Sequence, residues 1–123
     1  MRKHSRFVMA GIGLACIAGA PALAHHSYSM FDAKQNKELN GVVQTFKWTN
    51  PHSYIEVVVT DDKGQTQTWT AECGSPAQMV RNGWRSSSLK PGDKVVLTIH
   101  PLRSGELGGS FVQVQTADGK LLK

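Results

Sequence analysis

From about Leu39 onward the chain breaks into short apolar-rich runs separated by turn residues, the spacing expected of β-strands. The first run covers 42–48 and stops at Asn50-Pro51, because proline cannot donate to a central ladder. The second covers 54–60, with Ile55, Val57 and Val59 on one face and Tyr54, Glu56 and Val58 on the other. Asp61-Asp62-Lys63-Gly64 then predicts a hairpin turn into a third strand over 65–71, where Thr66, Thr68 and Thr70 alternate with Gln67 and Trp69. A fourth strand is expected over 94–100 after the turn Lys90-Pro91-Gly92-Asp93, with Val95, Leu97 and Ile99 on one face. A glycine-rich loop over 103–109 leads to a fifth over 111–116, and Asp118-Gly119 turns into a short tail.

Between the third and fourth strands the signals change to those of a short helix over 76–82. Ser75 suits the N-cap, Pro76 the first helical position, and Gln78 stands where a capping box needs it. Gly83 can turn left-handed after the last turn, which would set Trp84 against Met79 as in a Schellman motif. Three strands, a short helix and two strands is the order of a small five-stranded OB-like Greek-key barrel, mainly β with one short helix. A generic small β-sandwich is the alternative.

The segment before this domain reads differently. A basic start (Arg2, Lys3, Arg6) precedes an apolar stretch from Phe7 to about Ala20, and Pro21-Ala22-Leu23-Ala24 offers small residues at the −3 and −1 positions. These are the parts of a cleavable signal peptide over 1–24, with export to the bacterial periplasm. The apolar stretch is shorter than the ~20 residues of a membrane span, and no later segment replaces it. The division expected is therefore a signal peptide over 1–24, an extended arm over 25–38 and the barrel over 39–123.

That division moves the charge. The formal net charge of the chain is +5, but the leader holds three of its 14 basic residues and no acid. The mature part keeps 11 Lys/Arg against 9 Asp/Glu, too even a balance for a nucleic-acid binder. Of the two cysteines, Cys16 leaves with the leader, and Cys73 alone cannot form an internal disulfide.

Cleavage after Ala24 would also expose His25. An N-terminal histidine offers one metal ion both its α-amine and a ring nitrogen, and a third nitrogen from across the fold would complete a copper site of the histidine-brace type. His52, in the bend after Asn50-Pro51, is the partner expected, with His26 beside it; Glu72, His100, Met30 and Cys73 are further donors. The same residues have ordinary readings, as a frayed terminus for His25-His26 and a turn contact for His52. Aromatic residues are the other lead, because OB barrels use aromatics on strands 2 and 3 to stack ligands. Trp48, Tyr54 and Trp69, with Glu72 nearby, are the candidates for such a face.

The landmarks His25-His26-Ser27, Met30-Phe31-Asp32, Gly41-Val42-Val43, Phe46-x-Trp48-x-Asn50-Pro51-His52, Trp69-x-x-Glu72, Gly83-Trp84 and Leu89-Lys90-Pro91-Gly92-Asp93 occur in this order. Together they resemble a family of short exported bacterial proteins known as a domain of unknown function. The resemblance spans the mature chain and implies secretion and a small β-rich fold, with no activity attached. His25, His26, His52 and Glu72 are the family-like positions with usable chemistry, whereas His100 departs from the family pattern.

Two readings follow. The first is an exported, non-enzymatic module that binds a transition metal, copper preferred, through His25, His26 and His52. The second is a metal-free interaction or structural module that takes a small ligand, glycan or peptide on Trp48, Tyr54, Trp69 and Glu72. Catalysis is not expected: Cys73 with His52 lacks an orienting acid or an oxyanion donor that the sequence can identify. The partner is a small ligand, a metal ion or a periplasmic protein, with neither nucleic acid nor a membrane span.

Overall fold

A computed structural model describes residues 28–123. The expected signal peptide, and His25 and His26 of the arm, lie outside the described residues. A 3-10 turn at Tyr28–Met30 leads into β1 (Lys37–Lys47), β2 (Tyr54–Thr60), β3 (Thr66–Glu72), α1 (Pro76–Arg81), β4 (Lys94–Pro101), β5 (Gly108–Thr116) and β6 (Leu121–Leu122).

The strand order is β3-β2-β1-β4-β5-β6, and β5 returns to pair in parallel with β3. Five strands therefore close into the expected barrel, with α1 in the connection between β3 and β4. Closure removes most of the exposed sheet edge that an open sheet of this size would carry. β1 is long because it serves both halves: Lys37 to Val42 pair with β4, and Val42 to Lys47 pair with β2, with a register shift between Val43 and Thr45. Its first half begins five residues before the apolar run that signals the strand. In Lys37-Glu38-Leu39-Asn40-Gly41 only Leu39 is buried against the core, so alternation there is weak.

The alternating faces fill the barrel as expected. Ile55 and Val57 from β2, Trp69 and Ala71 from β3, Val95, Leu97 and Ile99 from β4, and Val114 from β5 are buried together. One end is closed by aromatic rings. Trp48 packs edge-on against Phe46, Phe46 against Trp84, and Trp84 against Phe111, with centroids 5.6, 5.7 and 5.4 Å apart. Trp84 is only 1% exposed, and its indole N–H is donated to the Lys123 carbonyl at 3.1 Å. Burying a tryptophan is favourable when that N–H finds a partner.

The local devices that hold this end were legible. The Ser75 side chain accepts from the Gln78 amide as N-cap. At the other end of α1, Trp84 N–H bonds to the Met79 carbonyl and Gly83 N–H to the Val80 carbonyl, both at 3.0 Å, with Gly83 at φ +88°. That is the expected Schellman motif, which presses Trp84 and Met79 into the core. The Lys90–Asp93 turn is closed by Lys90 N–H donating to the Asp93 carboxylate and pinned to β1 by Gly92 N–H donating to the Val43 carbonyl.

Two elements go beyond expectation. β5 starts at Gly108, three residues before the apolar run at Phe111, because Gly108 and Gly109 are where β5 passes β3. A Cβ on Gly109 would collide with the His100 carbonyl across the β4–β5 pair. The tail after Asp118-Gly119 folds back as β6 and pairs Leu122 with Val114. The described part of the arm is not loose. Phe31 is buried and bridges Leu102, Asp32 N–H donates to the Pro101 carbonyl, and Arg103 N–H donates to the Met30 carbonyl. His100 Nδ1 adds a 2.8 Å bond to the Gln35 carbonyl.

Candidate functional site

The hairpin turn after β2 sets where chemistry can gather. Asp61 accepts at one carboxylate oxygen from both Lys63 N–H and Gln65 N–H, and this fixes the register that ends with Tyr54 opposite Glu72. Beyond that pair the two chains stay together: Cys73 N–H donates to the Ser53 carbonyl at 2.8 Å, and Ser53 N–H to the Gly74 carbonyl at 2.9 Å. The bend that precedes Ser53 contains a cis Asn50–Pro51 bond, and the Thr49 hydroxyl donates to the His52 carbonyl. The bend and the end of β3 therefore meet at His52.

His52 stands within 3.1 Å of the Cys73 carbonyl through Nδ1 and 3.6 Å from Glu72 Oε1 through Nε2. A carbonyl only accepts, so Nδ1 carries the hydrogen and Nε2 is the nitrogen turned to the carboxylate. Both side chains are about one-fifth exposed, 21% for His52 and 18% for Glu72. Tyr54 is close enough to feel that carboxylate. Its hydroxyl titrates above the ordinary tyrosine range, first because burial disfavours the phenolate and then because of the Glu72 charge.

Cys73 is buried between these residues, and burial, with the Glu72 charge behind it, pushes its thiol up to about 12. It is a neutral thiol at any physiological pH, without the thiolate that nucleophilic or redox chemistry needs. Ser53 is completely buried, and its hydroxyl has no hydrogen-bond partner among the described residues.

Glu72 and Cys73 also border a cleft of about 200 Å³, together with Tyr28 from the arm and Trp84 and Phe111 from the barrel end. The arm thus arrives beside Glu72, three residues downstream of His25. Among the described residues no group of three or more His, Cys, Asp and Glu side chains is placed to hold a metal ion. His52 and Glu72 form a pair that would need donors from elsewhere.

The candidate aromatic residues are dispersed. Trp48 is half-buried against Phe46, and Tyr54 is half-buried near Glu72. Trp69 is buried with Lys37 Nζ 5.1 Å over its ring, and it lines a different cleft with Asp32 and Arg103. Of the four residues expected to share one binding face, only Glu72 borders the cleft beside Tyr28. His100 is tied to Gln35 and serves the arm rather than this site. The roles of the Cys73 carbonyl and of Tyr28 were missed in the sequence. The register implied by the Asp61–Gly64 turn would have brought His52 toward Cys73, had it been followed past the end of β2.

Among the described residues no helix is long and apolar enough to cross a membrane. No curated protein and no solved structure matches the chain. A family model spans residues 13–112, which includes every described site residue except Lys123. The chain belongs to the family of unknown function designated DUF6152.

Proposed function

We propose that the protein is exported to the periplasm, loses residues 1–24, and acts without catalysis as a small module that binds a transition-metal ion, copper in preference. The His25 α-amine and ring supply a chelate, His26 a neighbouring imidazole, and His52 Nε2 the donor from across the fold. The observation that carries this reading is the orientation of His52. Metal-ligating histidines typically donate their other ring N–H to a carbonyl or carboxylate, which fixes the tautomer and raises the basicity of the ligating nitrogen. The bond from His52 Nδ1 to the Cys73 carbonyl is such a contact, and it presents Nε2 beside Glu72.

Chain reach supports the same assembly. Tyr28 borders the cleft that Glu72 lines, and three peptide units from Tyr28 to His25 span at most about 11 Å. Imidazole and amine donors favour Cu(II) over the other common divalent ions, and a carboxylate at hand can balance its charge.

The test uses protein exported through its own signal, without a tag, and checked by mass spectrometry to begin at His25. After copper loading and desalting, elemental mass spectrometry should find near-stoichiometric copper. One alanine inserted before His25 should remove it, because the α-amine then moves away from the ring. A correctly processed, folded sample that retains no metal would overturn the reading.

A further inference from the structure

The cleft between α1, the start of β5 and the arm has chemically uneven walls. Tyr28 and Phe111 supply aromatic surface, with the buried Trp84 behind Phe111 and set edge to face with it at 81°. Opposed to them is one carboxylate, Glu72, which is mostly shielded from water. The other polar groups on the wall between them are neutral. Gln78 and Asn82 bring amides whose carbonyls can face a cation, Ser110 brings a hydroxyl, the Cys73 thiol is held neutral, and the Lys123 carbonyl is occupied by the Trp84 indole N–H. The residue that carries this last carbonyl is exposed, so its ammonium can remain in water.

This combination selects a ligand class. Aromatic faces attract cations, most strongly where water is excluded, and recognition of alkylammonium ions by rings is the common use of that attraction. An anion would meet the Glu72 charge, and a neutral ligand would desolvate the carboxylate without compensating it. About 200 Å³ holds roughly seven waters at liquid density, enough for an ion the size of choline. We propose that the cleft binds a small alkylammonium ion, with its charge toward Glu72 and its methyl groups against Phe111 and Tyr28.

Binding of this kind does not require a metal at His52. It is tested on the metal-free mature chain by calorimetric titration with choline and with 3,3-dimethylbutan-1-ol, its uncharged carbon isostere. Choline should bind saturably, and the isostere roughly tenfold or more weakly, the difference expected when a shielded carboxylate loses its counter-charge. Glu72→Gln should lower choline affinity by a similar factor. Phe111→Leu should lower it in protein whose cooperative thermal transition shows that it is folded.

Chemical-shift mapping on the unaltered chain provides a second readout. Choline should move the Phe111 and Tyr28 signals before those of Trp69. Equal binding of choline and its isostere, no binding of either, or shifts confined to other surfaces would overturn the proposal. The alanine insertion before His25 should leave choline binding unchanged, so failure of the copper reading and failure of this one give different results.

Discussion

The His52 ring is locked to the main chain at Cys73, with Nδ1 3.1 Å from the carbonyl oxygen, and this bond decides which nitrogen the ring offers. Because the carbonyl can only accept, neutral His52 is the Nδ1–H tautomer with its other nitrogen toward Glu72. Long-range proton–nitrogen correlation on the metal-free chain should show that tautomer. A spectrum of the Nε2–H form would contradict the geometry. Replacing Glu72 with Gln should leave the tautomer unchanged, since the lock is the backbone and not the carboxylate.

Cys73 should be chemically silent. Its thiol is buried and held at about 12, so a thiol reagent at pH 8 should label it only on unfolding. The same shift makes stability depend on pH. The folded-state value lies above the unfolded value of 9.0, so the contribution is complete below pH 9 and is lost as the pH rises toward 12. Chemical denaturation of wild type should weaken across that window, and Cys73→Ala should flatten the decline.

Phe31 fastens the arm that carries Tyr28 to the cleft. It is buried, bridges Leu102, and is flanked by the bonds from Asp32 N–H and Arg103 N–H. Phe31→Ala should cost about 3 kcal/mol by loss of a buried ring. It should also lower copper retention in the fraction that remains folded, because in the proposed site the arm is what tethers the chelating terminus to the barrel. Denaturant titration and metal analysis on the same samples check both outcomes. Wild-type copper retention in the folded variant would mean that the arm does not position the terminus.

Gly109 marks the closure of the barrel. A methyl group there would meet the His100 carbonyl, a backbone atom that cannot swing aside. Gly109→Ala should therefore destabilise the fold by roughly 2 kcal/mol, the scale of overpacking in a tight site. Gly119→Ala gives a useful contrast: nothing crowds its Cβ, but φ is +85°, so its smaller cost comes from backbone conformation. Thermal unfolding of the two variants separates the mechanisms.

How much of this was legible depends on whether a signal is local. The Ser75 cap, the Gly83-Trp84 ending of α1 and the Lys90–Asp93 turn each lie within a few residues, and each folds as its chemistry indicates. The alternation in β2 and β4 is strong because one face of each fills the barrel. The first half of β1 was obscured because Leu39 is its lone deeply buried side chain. Gly108 and Gly109 look like loop residues in sequence and become strand only because β5 must approach β3 closely. The site was legible in its members but not in its grouping. Glu72 was read both as a further metal donor beside His52 and as part of the aromatic face, and its pairing with His52 emerges from a register fixed at the far end of the β2–β3 hairpin. Trp69 shares strand β3 with Glu72, but its side chain is buried beneath Lys37 and lines another cleft, a separation that residue type and strand membership do not reveal.

The central claim is that His52 and the mature N-terminus share one metal ion. Pulsed electron paramagnetic resonance on the untagged, copper-loaded chain tests it directly, because the remote nitrogen of each equatorial imidazole modulates the electron spin echo. The account predicts modulation from more than one imidazole in wild type, with the His52 contribution lost in His52→Ala. Identical modulation in both proteins would show that His52 does not bind the metal and would contradict the account.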